Sequence, residues 1–131
     1  MSDNTAERNA EVVRAFVEHV CNKKPRDPEK AVELYFGSSY KQHSFGVPDG
    51  AENFLKVMPG FYEGAPDFQT TIHHVVAQGD LVVVHHHMRM SDDDRGNQVF
   101  DMFRLEDGKI IEHWDVVMPI PEGDPNNSGP F

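Results

Sequence analysis

Histidine and aspartate are the residues of this sequence best suited to chemistry. The chain of 131 residues contains eight histidines, seven of them after residue 40, and Asp101 and Asp115 are among the aspartates near its end. Imidazole and carboxylate groups that share a pocket can move protons at neutral pH or bind a metal ion. The clustering therefore indicates either acid/base catalysis or a metal site.

The segment LVVVHHHMRM contains three consecutive histidines in a run typical of a β-strand. Alternation along a strand places His85 and His87 on one face and His86 on the other, and we expect the first two to face the pocket. Two such side chains lie about 6.6 Å apart along a strand, so they could bind one divalent ion together with His113, His43 or an aspartate. The alternative is that they only form hydrogen bonds with neighbouring carboxylates.

The hairpin formed by FDMFRLEDGKIIEHWDVVM determines which chemical groups face each other. A three-residue turn at 106–108, with its glycine in the left-handed region, pairs Asp101 with His113 and places Asp115 on the same face. A two-residue Asp-Gly turn would pair Asp101 with Trp114 and separate the group. We expect the longer turn because it keeps both aspartates on one face.

Helical periodicity fills the first half of the chain, and β-branched and aromatic residues separated by glycine fill the second. Helices followed by antiparallel strands favour an α+β fold, with a curved, cone-shaped sheet and three N-terminal helices enclosing a pocket. We expect one domain over residues 1–131, with 119–131 as an extended Pro/Gly-rich tail. The predicted helices cover 5–24, Pro28 to Tyr35, and a segment from about Asp49 that Pro59 bends or ends; the predicted strands cover 67–78, 80–90, 98–106 and 109–118.

Composition excludes several classes of function. Twelve Lys and Arg against 22 Asp and Glu give a net charge of −10, which argues against nucleic acid as a partner. The single cysteine, Cys21, excludes an internal disulfide or a CxxC site, and no apolar run is long enough to span a bilayer. Because the first residues lack the features of a signal peptide, we expect a cytoplasmic protein without membrane contacts.

Three segments resemble one known family. YKQHSFGVPDG at 40–50, AQGDLVVVHHH at 77–87 and DMFRLEDGKIIEHWDVVMPIPE at 101–122 are similar to the SnoaL-like polyketide cyclase branch of the nuclear transport factor two-like superfamily. The resemblance implies a cystatin-like α+β cone around a deep pocket. Cyclases of this family close a ring by an aldol reaction, with an aspartate of the last strand as acid/base, and Asp115 holds the matching position. They tend to carry a histidine where this sequence has Asp101.

The resemblance and the chemistry together predict a small-molecule enzyme that transfers a proton next to a carbonyl, as an aldol cyclase, isomerase or dehydratase. Asp115 would be the base and His113 would donate a hydrogen bond to the developing enolate oxygen, with no cofactor required. The simpler interpretation is a buried polar network that only stabilises the fold. The expected catalytic residues are Asp115, Asp101 and His113, and the expected substrate-binding residues are His43, His85, His87, Tyr40 and Phe103.

Two alternatives come from other classes of function. The first is a metal-binding pocket protein, with a divalent ion held by His85, His87 and His113. The second is a non-catalytic module that binds a small ligand as a dimer. An apolar stripe on the opposite sheet face predicts a homodimer, unless the proline-rich tail covers that face. The residues of this stripe are Phe100, Met102, Ile110 and Trp114.

Overall fold

Three helices and five strands form the part of the chain that the computed structural model describes, residues 4–123 and 128–131. The predicted α+β class is confirmed, and the four predicted strands are present within about two residues of their expected bounds. The expected tail, 119–131, is described only in part, since 124–127 lie outside the described residues. That the chain forms a single domain stays a prediction. The elements are α1 Thr5–Cys21, α2 Pro28–Tyr35, β1 Phe36–Gln42, α3 Ala51–Gly64, β2 Gln69–Gln78, β3 Leu81–Arg89, β4 Asn97–Glu106 and β5 Lys109–Pro119.

The five strands form one curved, open sheet in the order β1-β5-β4-β3-β2. All neighbours pair antiparallel except β1, which runs parallel to β5. Sequence analysis missed β1 because its residues, FGSSYKQ, contain no apolar run. Gly37 suits this position, since a Cβ there would lie 2.8 Å from the side chain of Ile111.

The first two helices begin as predicted, but α1 ends at Cys21 rather than at residue 24. The reason is Asn22, whose side chain exchanges hydrogen bonds of 2.8 and 3.0 Å with the backbone of Thr70 and so ties the helix end to β2. Asp27 caps α2 by accepting the backbone N–H of Lys30 at 3.1 Å. Asn22 at the end of α1 and Asp27 at the start of α2 therefore fix where the two helices end and begin.

The third helix continues through Pro59 to Gly64 rather than ending at the proline. Asp49 does not cap it, because the carboxylate accepts the backbone N–H of Gln42 at 2.7 Å instead. This contact holds the end of β1 against the loop that leads into α3. None of the described helices is long and apolar enough to cross a membrane.

The inner face of the sheet packs against α1 and α2 and forms the hydrophobic core. Burial of these apolar side chains is the main source of stability in a domain of this size. Five of them, Val13, Ala31, Val82, Val84 and Ile110, are 0% exposed. The core therefore lies on the side of the sheet that faces the helices, and we call the opposite side the outer face.

The hairpin between β4 and β5 closes with a two-residue turn, so the expected three-residue loop is wrong. Glu106 pairs with Lys109, and both turn residues have positive φ, 52° for Asp107 and 75° for Gly108. These are the dihedral signs of a type I′ turn, whose twist matches that of the flanking strands. Asp tolerates the left-handed region, which makes the shorter turn accessible here.

A β-bulge at Ile111 then changes the register of the hairpin. Beyond this extra residue, Asp101 pairs with Asp115 and Phe103 pairs with His113. The expected pairing of Asp101 with His113 is therefore wrong. The expected face is correct, because the bulge reverses the alternation once and brings His113 and Asp115 back to the side of Asp101. One extra residue thus preserves the group that the two-residue turn alone would have separated.

Candidate active site

A largely buried aspartate between two histidines lies on the inner face, with 13% of its side chain exposed. Asp101 on β4 accepts a hydrogen bond from His113 on β5 at 2.7 Å and one from His86 on β3 at 2.5 Å. Burial by itself would raise the pKa of Asp101, but the two hydrogen bonds outweigh it and lower the pKa to about 2. Asp101 is thus an anion that orients two imidazole rings.

The second ring nitrogen of His113 lies 2.7 Å from Oε1 of Gln42 at the end of β1. This orientation of the amide is consistent with its other contacts: Oε1 accepts the backbone N–H of Ser44 at 3.1 Å, and Nε2 donates to Tyr40 Oη at 2.9 Å. Both ring nitrogens of His113 therefore face acceptors, Asp101 and Gln42. An imidazolium, protonated on both nitrogens, satisfies both contacts.

Asp115 lies two residues beyond His113, beside a surface cleft that contains the fully exposed Phe45. Its carboxylate accepts a hydrogen bond of 2.9 Å from the hydroxyl of Ser44. One nitrogen or oxygen atom from each of Asp101, His113 and Asp115 lies within 4.8 Å of the other two. The structure therefore brings together the three residues expected to be catalytic.

The face expected for the three consecutive histidines is wrong. His86 points inward, to Asp101 and to the hydroxyl of Thr70, and is 2% exposed. His85 and His87 lie on the outer face, where they contact the side chain of Gln98 and a backbone oxygen. Valines surround both possible faces in the sequence, so hydrophobicity alone could not distinguish them. The pairing of β3 with β4, which contains Asp101, determines which of the histidines face inward.

The other expected substrate-binding residues divide between the two faces. Tyr40 and Phe103 lie on the inner face as expected, 6% and 2% exposed, and burial raises the pKa of Tyr40. His43 does not lie at a pocket mouth on that face. Its ring stacks on Trp114 at 4.8 Å and bonds to Glu112 at 2.7 Å, on the outer side of the sheet.

The expected metal set of His85, His87 and His113 does not come together, because His113 lies on the opposite face. Among the described residues, Asp101, His113 and Asp115 form a group with metal-ligand spacing. An ion there would compete with existing hydrogen bonds, since both oxygens of Asp101 and both nitrogens of His113 already have partners. The donor pattern fits a protonated imidazole better than a metal ion.

Sequence analysis missed three residues of this network: His86, Gln42 and Ser44. Gln42 and Ser44 belong to β1 and the loop after it, a strand without a recognisable pattern. They reach the site because β1 lies beside β5, and the backbone N–H of His43 donates to the carbonyl of His113 at 2.9 Å. The motif YKQHS therefore contributes its glutamine and serine to the site, while its histidine points elsewhere.

The expected outer stripe is correct in part. Phe100 is 43% exposed there, and Met102 and Trp114 form a cross-strand pair beside it. The prediction that Ile110 belongs to this stripe is wrong. Ile110 precedes the bulge, so it faces the core, where it is fully buried opposite Leu105. The tail covers another part of this face, where Phe131 stacks on the ring of His73 at 4.4 Å.

Comparison with known proteins agrees with this architecture. A family model described as a SnoaL-like domain matches residues 13–113. No curated protein sequence matches the chain. A proposed polyketide cyclase from Bacillus cereus ATCC 10987 superposes with a TM-score of 0.73 and 20% identity, over 89% of this chain and 78% of that one.

Two further solved structures have the same fold. A proposed SnoaL-like polyketide cyclase from Jannaschia sp. CCS1 has a TM-score of 0.72 and 18% identity, over 89% of this chain and 90% of that one. A proposed isomerase of the SnoaL-like family from Agrobacterium tumefaciens has a TM-score of 0.71 and 11% identity, over 85% of this chain and 97% of that one. Their different names accompany one architecture, that of the nuclear transport factor two-like superfamily. With its family match over most of the length, the chain belongs to the SnoaL-like family.

Proposed function

We propose that the protein is a small-molecule enzyme that transfers a proton at a carbon next to a carbonyl. The observation that carries this proposal is the approach of Asp101, His113 and Asp115 to within 4.8 Å of one another on the inner face. Aldol closure, isomerisation and dehydration all begin with this proton transfer. Solved structures with this fold carry the names of a cyclase and an isomerase, which supports this class of reaction.

In the proposed reaction, Asp115 is the base. Its carboxylate takes the proton from the carbon, and the electron pair of that C–H bond moves towards the carbonyl oxygen to form an enolate. The hydrogen bond from Ser44 holds the carboxylate in one orientation for this step. The cleft beside Asp115 and Phe45 gives a substrate a route to the base.

His113 is the proposed donor to the enolate oxygen. Its Nδ1 now contacts an amide oxygen of Gln42, and a substrate oxygen that replaces this amide would receive the same hydrogen bond. The positive ring would stabilise the negative oxygen that develops in the transition state. Asp101 acts through His113 as a positioning residue, because a carboxyl with a pKa of about 2 is a poor base at neutral pH.

The experiment is deuterium exchange at carbon. Cyclic ketones and aryl methyl ketones are incubated with the protein in heavy water, and loss of the α-proton signal is followed by NMR. We expect Asp115→Asn to lower the exchange rate about 100-fold or more, which is the usual contribution of a general base. Asn can still accept the bond from Ser44, so the melting temperature should change little.

Asp67→Asn is the matched control, because the side chain of this aspartate is 70% exposed just before β2 and forms a long ion pair of 3.8 Å with Lys24. It should exchange protons at the wild-type rate. Equal rates in wild type and Asp115→Asn would contradict the proposed base.

We also propose that the protein forms a homodimer through the outer face. Val116 and Met118, 66% and 57% exposed, extend the stripe of Phe100 and Trp114 across two neighbouring strands. A second copy can cover such a stripe with the same residues, related by a two-fold axis. Light scattering at micromolar concentration should give twice the monomer mass, and Val116→Lys should give the monomer. A monomeric wild-type protein would refute this assembly.

A cytoplasmic location stays a prediction from the sequence.

A further inference from the structure

Four histidines gather on the outer face, on the opposite side of the sheet from Asp101. We call His73, His74, His85 and His87 the outer histidine cluster. In the pairing of β2 with β3, Ile72 lies opposite His86 and His74 lies opposite His85, so His73 is an extra, bulged residue. Regular alternation would send consecutive residues to opposite faces. The bulge instead lets His73 and His74 lie on the same side.

The closest contact in the cluster joins two ring nitrogens of the same kind. Nδ1 of His74 lies 3.0 Å from Nδ1 of His85, and Nε2 of His85 bonds to Oε1 of Gln98 at 2.9 Å. Only one proton fits between the two Nδ1 atoms, so one of them must direct a lone pair at the other. Removing this proton leaves two lone pairs that converge on one point.

We propose that the outer histidine cluster binds a divalent transition-metal ion such as Zn²⁺, with His74 and His85 as ligands through Nδ1 and His73 as the third ligand. Two imidazole nitrogens on a tetrahedral zinc ion lie about 3.3 Å apart when each bond is 2.0–2.1 Å long. The observed Nδ1–Nδ1 distance of 3.0 Å is slightly shorter, so the two rings need to separate by only a few tenths of an ångström to bind the ion. The net charge of −10 makes the protein attractive to a cation.

His73 is free to supply the third bond. It is exposed, and its ring centre lies 6.4 Å from that of His85, so a side-chain rotation brings it to the pair. On turning, it would leave its stack on Phe131.

The site is separate from the proposed active site. The group of Asp101, His113 and Asp115 lies on the inner face, and its donor atoms already bond to protein partners. The outer histidine cluster is reached from solvent at His73 and His74, both exposed. Metal binding there does not depend on the proton transfer proposed above.

The test is calorimetric titration of ZnCl₂ into the full chain, prepared without a histidine tag. We expect one saturable site of micromolar affinity. His74→Gln and His85→Gln should each weaken binding about 10-fold or more, because each removes one of the paired ligands. His74 is exposed, so its variant should fold even if the His85 variant does not, and melting curves check this.

Two further variants make the assignment specific. His19→Gln changes a histidine on α1 that bonds to the backbone of Asp27, and it should bind zinc like wild type. Asp115→Asn tests the inner group and should also bind like wild type. The proposal is overturned if no saturable binding occurs at micromolar zinc. It is equally overturned if Asp115→Asn abolishes binding while His74→Gln leaves it unchanged.

Discussion

The two faces of the sheet use histidine in opposite ways. On the inner face, His86 and His113 share one ionised carboxylate, Asp101, which accepts a hydrogen bond from each ring. On the outer face, His74 and His85 face each other, and the next partner is a neutral amide. The same side chain is therefore suited to carrying a proton on one face and to offering a lone pair on the other. The partner, rather than the residue type, sets the chemistry.

The largest expected effect comes from removing the shared carboxylate. Asp101→Ala leaves the buried His86 and the largely buried His113 without their anion and should lower the free energy of unfolding by about 3–5 kcal/mol. Gln98→Ala is the matched change on the outer face, since Gln98 lies on β4 like Asp101 and is the hydrogen-bond partner of His85. It should cost about 1 kcal/mol. Urea unfolding measures both, and equal losses would contradict the comparison.

Acid should weaken the inner face through the same residue. The pKa of Asp101 is lowered from 3.8 to about 2, because hydrogen bonds from both histidines outweigh the effect of its burial. A lowered pKa stabilises the fold above the unfolded value and loses this stability as pH falls from about 4 through about 2. The loss should be about 2 kcal/mol in wild type and absent from Asp101→Asn. Unfolding midpoints at several acidic pH values test this, and parallel curves for the two proteins would contradict it.

Adjacent histidines of the triplet should differ in their contribution to stability. His86→Gln should cost roughly 1–2 kcal/mol, since the buried ring bonds to both Asp101 and Thr70. His87→Gln should cost roughly 0.5 kcal/mol or less, because this ring is only partly buried and contacts one backbone oxygen. Thermal melting of the two variants gives the order. A larger loss of stability for His87→Gln than for His86→Gln would show that His87, rather than His86, faces inward.

A change at the tail should have a smaller effect than His86→Gln. Phe131→Ala removes ring contacts to His73, His85 and His87 on the outer face and should cost about 0.5–1 kcal/mol. The same variant should leave the deuterium exchange of the proposed reaction unchanged. A loss of several kcal/mol would instead make Phe131 part of the core and the outer face a buried layer.

Local signals predicted the helices and four of the strands. Asp27 before Pro28 marks the start of α2, and residue types with period-two spacing mark β2 to β5. The fifth strand, β1, lacked such a signal because it depends on the edge that β5 provides. Asp101, His113 and Asp115 were predicted on one face from a three-residue turn, whereas the structure brings them there by a two-residue turn and the bulge at Ile111. Such an extra residue cannot be read from hydrophobicity.

The position of His86 illustrates the same limit. Its neighbours Val82 and Val84 are fully buried, yet Val83 between them is equally apolar in the sequence. Only the pairing of Val84 with Asp101 decides which alternate set faces inward. The fold follows from local propensities, whereas the site depends on long-range register.

The bulge at Ile111 also determines how the hairpin responds to changes in length. Deleting Ile111 would leave Glu112 opposite Arg104 and His113 opposite Phe103, as they are now, because the remaining residues simply pair without the bulge. Deleting Trp114 would instead turn Asp115 to the outer face. Removal of the bulged residue can thus remodel this end of the sheet, and its contact with Gly37, while the proposed catalytic group keeps its place.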